Sequence, residues 1–100
     1  MASLFKLMTM NKTFSFIIPI YNRPEEMKEL LDSLCNQDTD VFEVVVVEDG
    51  STNTSEKVVA SFKSRLSISY FFKANSGPGA SRNFGMKRAK GNYFIILDSD

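Results

Sequence analysis

Apolar residues occur along this chain in two rhythms that take turns. Residues 14–20 (FSFIIPI), 41–47 (VFEVVVV), 67–72 (SISYFF) and 92–97 (NYFIIL) are short runs rich in β-branched and aromatic side chains. Such runs predict strands, and the near-continuous valines of the second suit a strand covered on both faces, as in parallel sheets. Between them the apolar residues recur every three or four positions. In PEEMKELLDSLCNQ, Met27, Leu30, Leu31, Leu34 and Cys35 form one helical stripe. In SEKVVASFKSRL, Val58, Val59, Phe62 and Leu66 form another, and a third helix is predicted over about residues 80–90.

The breakers agree with these elements. Tyr21-Asn22-Arg23-Pro24 separates the first strand from the first helix. Asn22 can cap, Pro24 suits a first helical turn, and Glu25 and Glu26 sit at the positive end of the helix dipole. Glu48-Asp49-Gly50-Ser51 reads as a turn, KANSGPGAS as a glycine- and proline-rich loop, and Gly91 as the stop of the third helix. The predicted order is β-α-β-α-β-α-β: a three-layer, Rossmann-like, open and mostly parallel α/β sheet. Residues 13–100 form its one domain. Residues 1–12, where Lys6 interrupts a short apolar run, are expected to be a leader or a cloning-derived segment outside the fold.

Composition narrows the chemistry. Twelve basic and twelve acidic residues give a net charge of zero, so no overall field favours nucleic acid or an anionic membrane. The sequence has one cysteine, Cys35, and no histidine. That excludes an internal disulfide, a Cys/His zinc cluster and Ser–His or Cys–His catalysis within the chain. A bound metal would have oxygen ligands, which favours Mg²⁺ or Mn²⁺. The cysteine usage fits a reducing, cytoplasmic setting, with membrane attachment of a longer protein left open.

Parallel strands deliver all their carboxyl ends to one rim, where ligands bind above all at the point where strand order reverses. Here the strand exits are Pro19-Ile20-Tyr21-Asn22, Glu48 to Ser51, Asn75 to Arg82, and Asp98-Ser99-Asp100. Each has an ordinary reading as a turn, a cap or a solvated strand exit. Yet residues two apart on a strand share a face, so Asp98 and Asp100 can reach one cation, which would relieve their repulsion. Arg82 can clamp phosphate beside helix N–H groups, and Tyr21 can stack on a base. GPGASR follows the third strand and ends in Arg82, which weakens a dinucleotide-binding reading, and no G-x-x-x-x-G-K-[ST] is present.

The segments FSFIIPIYNRPEEMKELLDSL, FEVVVVEDGST and NSGPGASRNFGMKRAKGNYFIILDSD resemble, in order and spacing, the N-terminal half of GT-A glycosyltransferases of family 2. The resemblance implies a nucleotide-diphosphate sugar donor, a UDP-sugar first of all, and a divalent metal, Mn²⁺ or Mg²⁺. Pro19 and Tyr21 would contact the base, Asp49 its N–H, and Arg82 the base and diphosphate. Asn22, Glu48, Asn75 and Gly77 would complete the nucleotide-sugar site. Asp98 would lie near the ribose and metal, with Asp100 facing the metal. The implied reaction is inverting transfer to an acceptor hydroxyl, on a carbohydrate or lipid-linked acceptor.

The family's chains continue past the D-x-D motif into an acceptor region and an acidic general base. The resemblance therefore implies a longer enzyme, a piece that transfers no sugar alone, and self-association through surfaces left uncovered. Other readings are a related nucleotidyltransferase, or a small nucleotide-binding or interaction module. A haloacid dehalogenase-type phosphohydrolase also uses D-x-D, but normally at the opening of its domain.

Overall fold

The structure, a computed structural model, describes residues 13–98. The leader expected at 1–12 and the metal ligand expected at Asp100 lie outside the described residues. The elements are β1 (Phe14–Ile20), α1 (Pro24–Leu34), β2 (Phe42–Asp49), α2 (Glu56–Ser61), β3 (Ile68–Lys73), α3 (Pro78–Arg88) and β4 (Tyr93–Ile96). Four parallel strands lie in the order β3-β2-β1-β4.

The chain thus winds outward from β1 to β3, then returns across two strands to place β4 on the far side of β1. Right-handed crossovers require helices on opposite faces for these two directions. The packing agrees. Ile18, Ile20, Val44 and Val46 meet Met27, Leu31 and Leu34 of α1 and Val59 of α2, whereas Ile17, Val45 and Val47 meet Phe84 and Met86 of α3. Val44 to Val47 are fully buried, as their continuous run predicted. Each contributes on the order of 2 kcal/mol through burial.

Gly85 explains how closely α3 approaches the sheet: a Cβ there would lie 2.6 Å from Ile17 Cγ2 and 3.1 Å from Val47 Cγ2. The lower edge of that contact is fixed by Glu43, whose Oε2 accepts from Ser15 Oγ at 2.6 Å and from the Lys90 and Gly91 N–H groups.

Several element boundaries differ from the sequence pattern, most of all at the second and third helices. The second helix ends at Ser61, because Ser61 Oγ donates to the Val58 carbonyl and the Phe62 N–H takes the Val59 carbonyl, tightening the turn. Phe62 and Leu66 are nevertheless buried, so the apolar stripe reports burial beyond the helix itself. The third helix starts at Pro78 and stops at Arg88, with Ala89 already extended. Gly91 is therefore not its terminator but a close-packing position, where a Cβ would meet Ser15 Oγ at 2.5 Å. At the sheet edge, β4 leaves Tyr93, Phe94 and Ile95 exposed.

Candidate functional site

The reversal of strand order falls between β1 and β4, and an open cleft of about 350 Å³ lies at the carboxyl rim there. β1 and its exit supply Pro19, Ile20, Tyr21 and Arg23, and β2 supplies Asp49. The loop after β3 adds Asn75, Gly77 and Pro78, and the segment after β4 adds Asp98. Six of the residues singled out from sequence, Pro19, Tyr21, Asp49, Asn75, Gly77 and Asp98, are thus brought together. Tyr21 is half exposed, with its ring free to receive a planar group.

Asp49 is held by three donors in this cleft. Its Oδ1 accepts from Lys73 Nζ at 2.8 Å and from the Ser76 N–H at 2.9 Å, and its Oδ2 accepts from the Gly77 N–H at 3.0 Å. Burial opposes ionisation of this carboxyl. The Lys73 ammonium and the two backbone donors outweigh it and hold the group below its ordinary range. Asn75 Nδ2 donates to the Asp49 carbonyl at 3.0 Å, so the loop after β3 is tied to the end of β2 on both sides.

Two glycines make that closure possible. Gly50 has φ +71°, and a Cβ there would lie 2.6 Å from the Asn75 backbone nitrogen. Gly77, at φ +97°, turns its N–H toward Asp49 just before α3 begins, a conformation other residues adopt only at a cost.

Glu48 and Asn22 do not line this cleft. Glu48 is fully buried on the α1/α2 side of the sheet, because alternation along β2 sends it opposite to Asp49. Its Oε1 accepts from the Ser55 N–H at 2.6 Å and from Tyr70 Oη at 3.0 Å, and Oε2 accepts from Ser51 Oγ. It lies behind the cleft wall. Burial, reinforced by this carboxyl, pushes the Tyr70 phenol well above its ordinary value.

Asn22, at φ +53°, does not cap α1, whose N-cap position is Arg23. Its Oδ1 instead accepts from the N–H groups of Thr52 and Asn53, both at 2.9 Å, and its own N–H donates to Ser51 Oγ at 2.8 Å. Glu48, Ser51 and Asn22 therefore form one chain of bonds joining the exits of β1 and β2. They lie behind the cleft wall and outside its lining.

Arg82 stands in the second turn of α3, not the first, and its Nη1 lies 3.5 Å from Asp98 Oδ2. This pair is partly exposed and worth little to stability. Asp98 itself lies beyond the end of β4 at Ile96, so strand alternation does not direct its side chain as the sequence pattern implied. Among the described residues, no three Cys, Asp or Glu side chains gather as a metal cluster, and no helix is long and apolar enough to cross a membrane.

Sequence reading missed Lys73 and Arg23. For Lys73 the signal is positional: the parallel register pairs Asp49 with Lys73, which becomes visible only once β2 and β3 are aligned.

Comparison with known proteins supplies the context. Residues 15–100 match the glycosyl transferase family 2 profile. An uncharacterized glycosyltransferase of Rickettsia bellii is 42% identical over 86 residues, covering 86% of this chain and 12% of that protein. The poly(ribitol-phosphate) beta-N-acetylglucosaminyltransferase TarS of Staphylococcus aureus is 40% identical over 91 residues, covering 87% of this chain and 16% of TarS. The chain thus spans less than a fifth of the length of these relatives.

Among solved structures, S. aureus TarS 1–349 in complex with UDP-GlcNAc aligns with TM-score 0.82 and 40% identity, over 88% of this chain and 26% of that one. The mannosyltransferase PcManGT of Pyrobaculum calidifontis, in complex with GDP-Man and Mn²⁺, aligns with TM-score 0.81 and 28% identity, over 90% and 28%. With the strand order, the switch-point cleft and the matched span in agreement, the chain belongs to glycosyl transferase family 2 and has the GT-A fold of those enzymes.

Proposed function

We propose that this chain forms the donor-binding region of an inverting glycosyltransferase that takes a nucleotide-diphosphate sugar, a UDP-sugar first of all. The observation that carries this reading is the cleft at the β1/β4 switch point, with an aromatic ring, an anchored carboxylate and Asp98 around one opening. Pro19 and Tyr21 bracket the base, Asp49 accepts its N–H, and Asn75 and Gly77 close the wall beside it. Arg82 faces the diphosphate and releases Asp98 when the donor enters.

A divalent cation fits the oxygen donors at this rim. Asp98, with Asp100 after it, would hold Mn²⁺ or Mg²⁺ while donor phosphate oxygens complete the shell. When bound, the ion neutralises the charge that grows on the departing nucleoside diphosphate. The acceptor is a hydroxyl of a carbohydrate or a lipid-linked carbohydrate.

Relatives of this fold carry UDP-GlcNAc in one case and GDP-Man with Mn²⁺ in another, so the choice of base rests on side chains rather than on the fold. Calorimetric titration with UDP, with and without Mn²⁺, tests the reading. Mn²⁺ should tighten UDP binding, and Asp98→Ala should weaken the metal-assisted affinity about tenfold or more, the loss of one charged contact. UDP binding indifferent to both would remove the metal role, and an absence of UDP binding would remove the donor reading.

A further inference from the structure

A carboxylate offers about four lone-pair positions, two on each oxygen. Among the described residues, Asp49 Oδ1 has both taken, by the Lys73 ammonium at 2.8 Å and the Ser76 N–H at 2.9 Å. Oδ2 takes one donor, the Gly77 N–H at 3.0 Å. One acceptor position is therefore left for anything entering the cleft that Asp49 lines.

Lys73 is held firmly in this role. Its side chain is only 14% exposed, and besides Asp49 it donates to the Ala74 carbonyl at 2.8 Å and to Ser76 Oγ. The parallel register sets it directly beside Asp49, and its bonds to Ala74 and Ser76 fold the loop that carries Asn75 and Gly77. Lys73 therefore takes one of the two positions on Oδ1 and shapes the wall next to Oδ2.

Resting on the donor-binding reading above, we propose that Lys73 is a positioning residue that sets base specificity. By occupying Asp49 Oδ1, it leaves a single acceptor that suits a base presenting one ring N–H between two carbonyls, as uracil does, and rejects guanine. Guanine presents two adjacent donors, its ring N–H and its exocyclic amine. The first can reach Oδ2, but the second meets an oxygen already saturated and stays unpaired, which is costly in a partly buried site. Cytosine fares no better, since its unprotonated ring nitrogen turns a lone pair toward the carboxylate.

The test compares UDP, GDP and inosine diphosphate by calorimetry on this chain and on Lys73→Met and Lys73→Arg. Inosine diphosphate keeps guanine's ring N–H and lacks its amine, so it isolates the second donor without any mutation. The unsubstituted chain should bind inosine diphosphate more tightly than GDP, and UDP most tightly of the three. Lys73→Met, checked for folding by circular dichroism, frees one lone pair on Oδ1. Its UDP-to-GDP affinity ratio should fall about tenfold, the worth of one unpaired donor, and GDP should overtake inosine diphosphate.

Lys73→Arg should restore the original ratio, because it again fills Oδ1. A loop that is merely loosened would weaken all three nucleotides alike and leave the ratios where they were. Tighter binding of GDP than of inosine diphosphate by the unsubstituted chain would overturn the proposal. So would a Lys73→Met ratio equal to the original. Failure of the unsubstituted chain to bind any of the three would instead remove the donor-binding reading on which this one stands.

Discussion

Glu48 and Asp49 are consecutive carboxylates on one strand, yet they anchor two regions with opposite purposes. Glu48 points into the α1/α2 layer and is closed off by Ser51, the Ser55 N–H and Tyr70. Asp49 points to the other side, where Lys73, Ser76 and Gly77 hold it at the wall of an open cleft. Both are dense hydrogen-bond hubs. Each carboxylate takes three donors; they differ in that Glu48 is sealed within the α1/α2 layer, whereas Asp49 lines the cleft. A sealed hub stabilises a turn, and one at a cleft wall can recognise something.

The largest expected effect breaks the Glu48 side of this contrast. Glu48→Ala strands Ser51 Oγ, the Ser55 N–H and Tyr70 Oη in a buried setting, which should cost about 3 kcal/mol in urea unfolding. The folded fraction should still bind UDP within about threefold of the original affinity, because the cleft wall itself is untouched. A large loss of affinity with little loss of stability would make Glu48 a ligand contact after all.

Next comes the closeness of α3, on which the cleft's loop depends. Gly85→Ala pushes a methyl onto Ile17 and Val47 and should destabilise by about 2 kcal/mol, seen as a lowered Tm. An unchanged Tm would mean that α3 can ride outward freely.

Asp49→Asn sharpens the other half of the comparison. It should weaken UDP binding about tenfold while lowering stability by about 1 kcal/mol, the reverse of the Glu48 pattern. Calorimetry and urea unfolding on the same protein read both quantities.

The smallest effect is a pH dependence. The Asp49 carboxyl is held below its ordinary value of 3.8, so the stability it contributes is present above that pH. That contribution is lost as pH falls through the lowered value in the folded state. Melts at pH 7, 4 and 3 should show the unsubstituted chain losing its advantage over Asp49→Asn only at the acid end. A constant difference between the two would mean that the carboxyl is not held low.

Much of the architecture was legible beforehand because hydrophobic period reports directly on burial. The first strand, Phe14–Ile20, has the bounds its residues predicted, and the valine run of β2 is buried on both faces. The α1 stripe places Met27, Leu31 and Leu34 in the core. Where the pattern misled, a local bond intervened. The second helix ends early at Ser61, although Phe62 and Leu66 beyond it remain buried. Gly91 proved to be a contact with Ser15 and Glu43 rather than a helix stop.

By itself, then, the sequence determined which residues leave the carboxyl ends of the strands, since element order and strand period depend only on local spacing. It also determined that these residues offer a cation no imidazole, since no histidine is present. Only the tertiary structure decided which rim residues face the cleft. Alternation turned Glu48 inward and Asp49 outward, Asn22 was drawn behind the wall by Thr52 and Asn53, and pairing of β2 with β3 set Lys73 against Asp49. These outcomes depend on strand register and on loops separated by more than twenty residues in sequence, as in the Lys73–Asp49 bond. No local pattern carries that information, because the partners meet only after the sheet has formed.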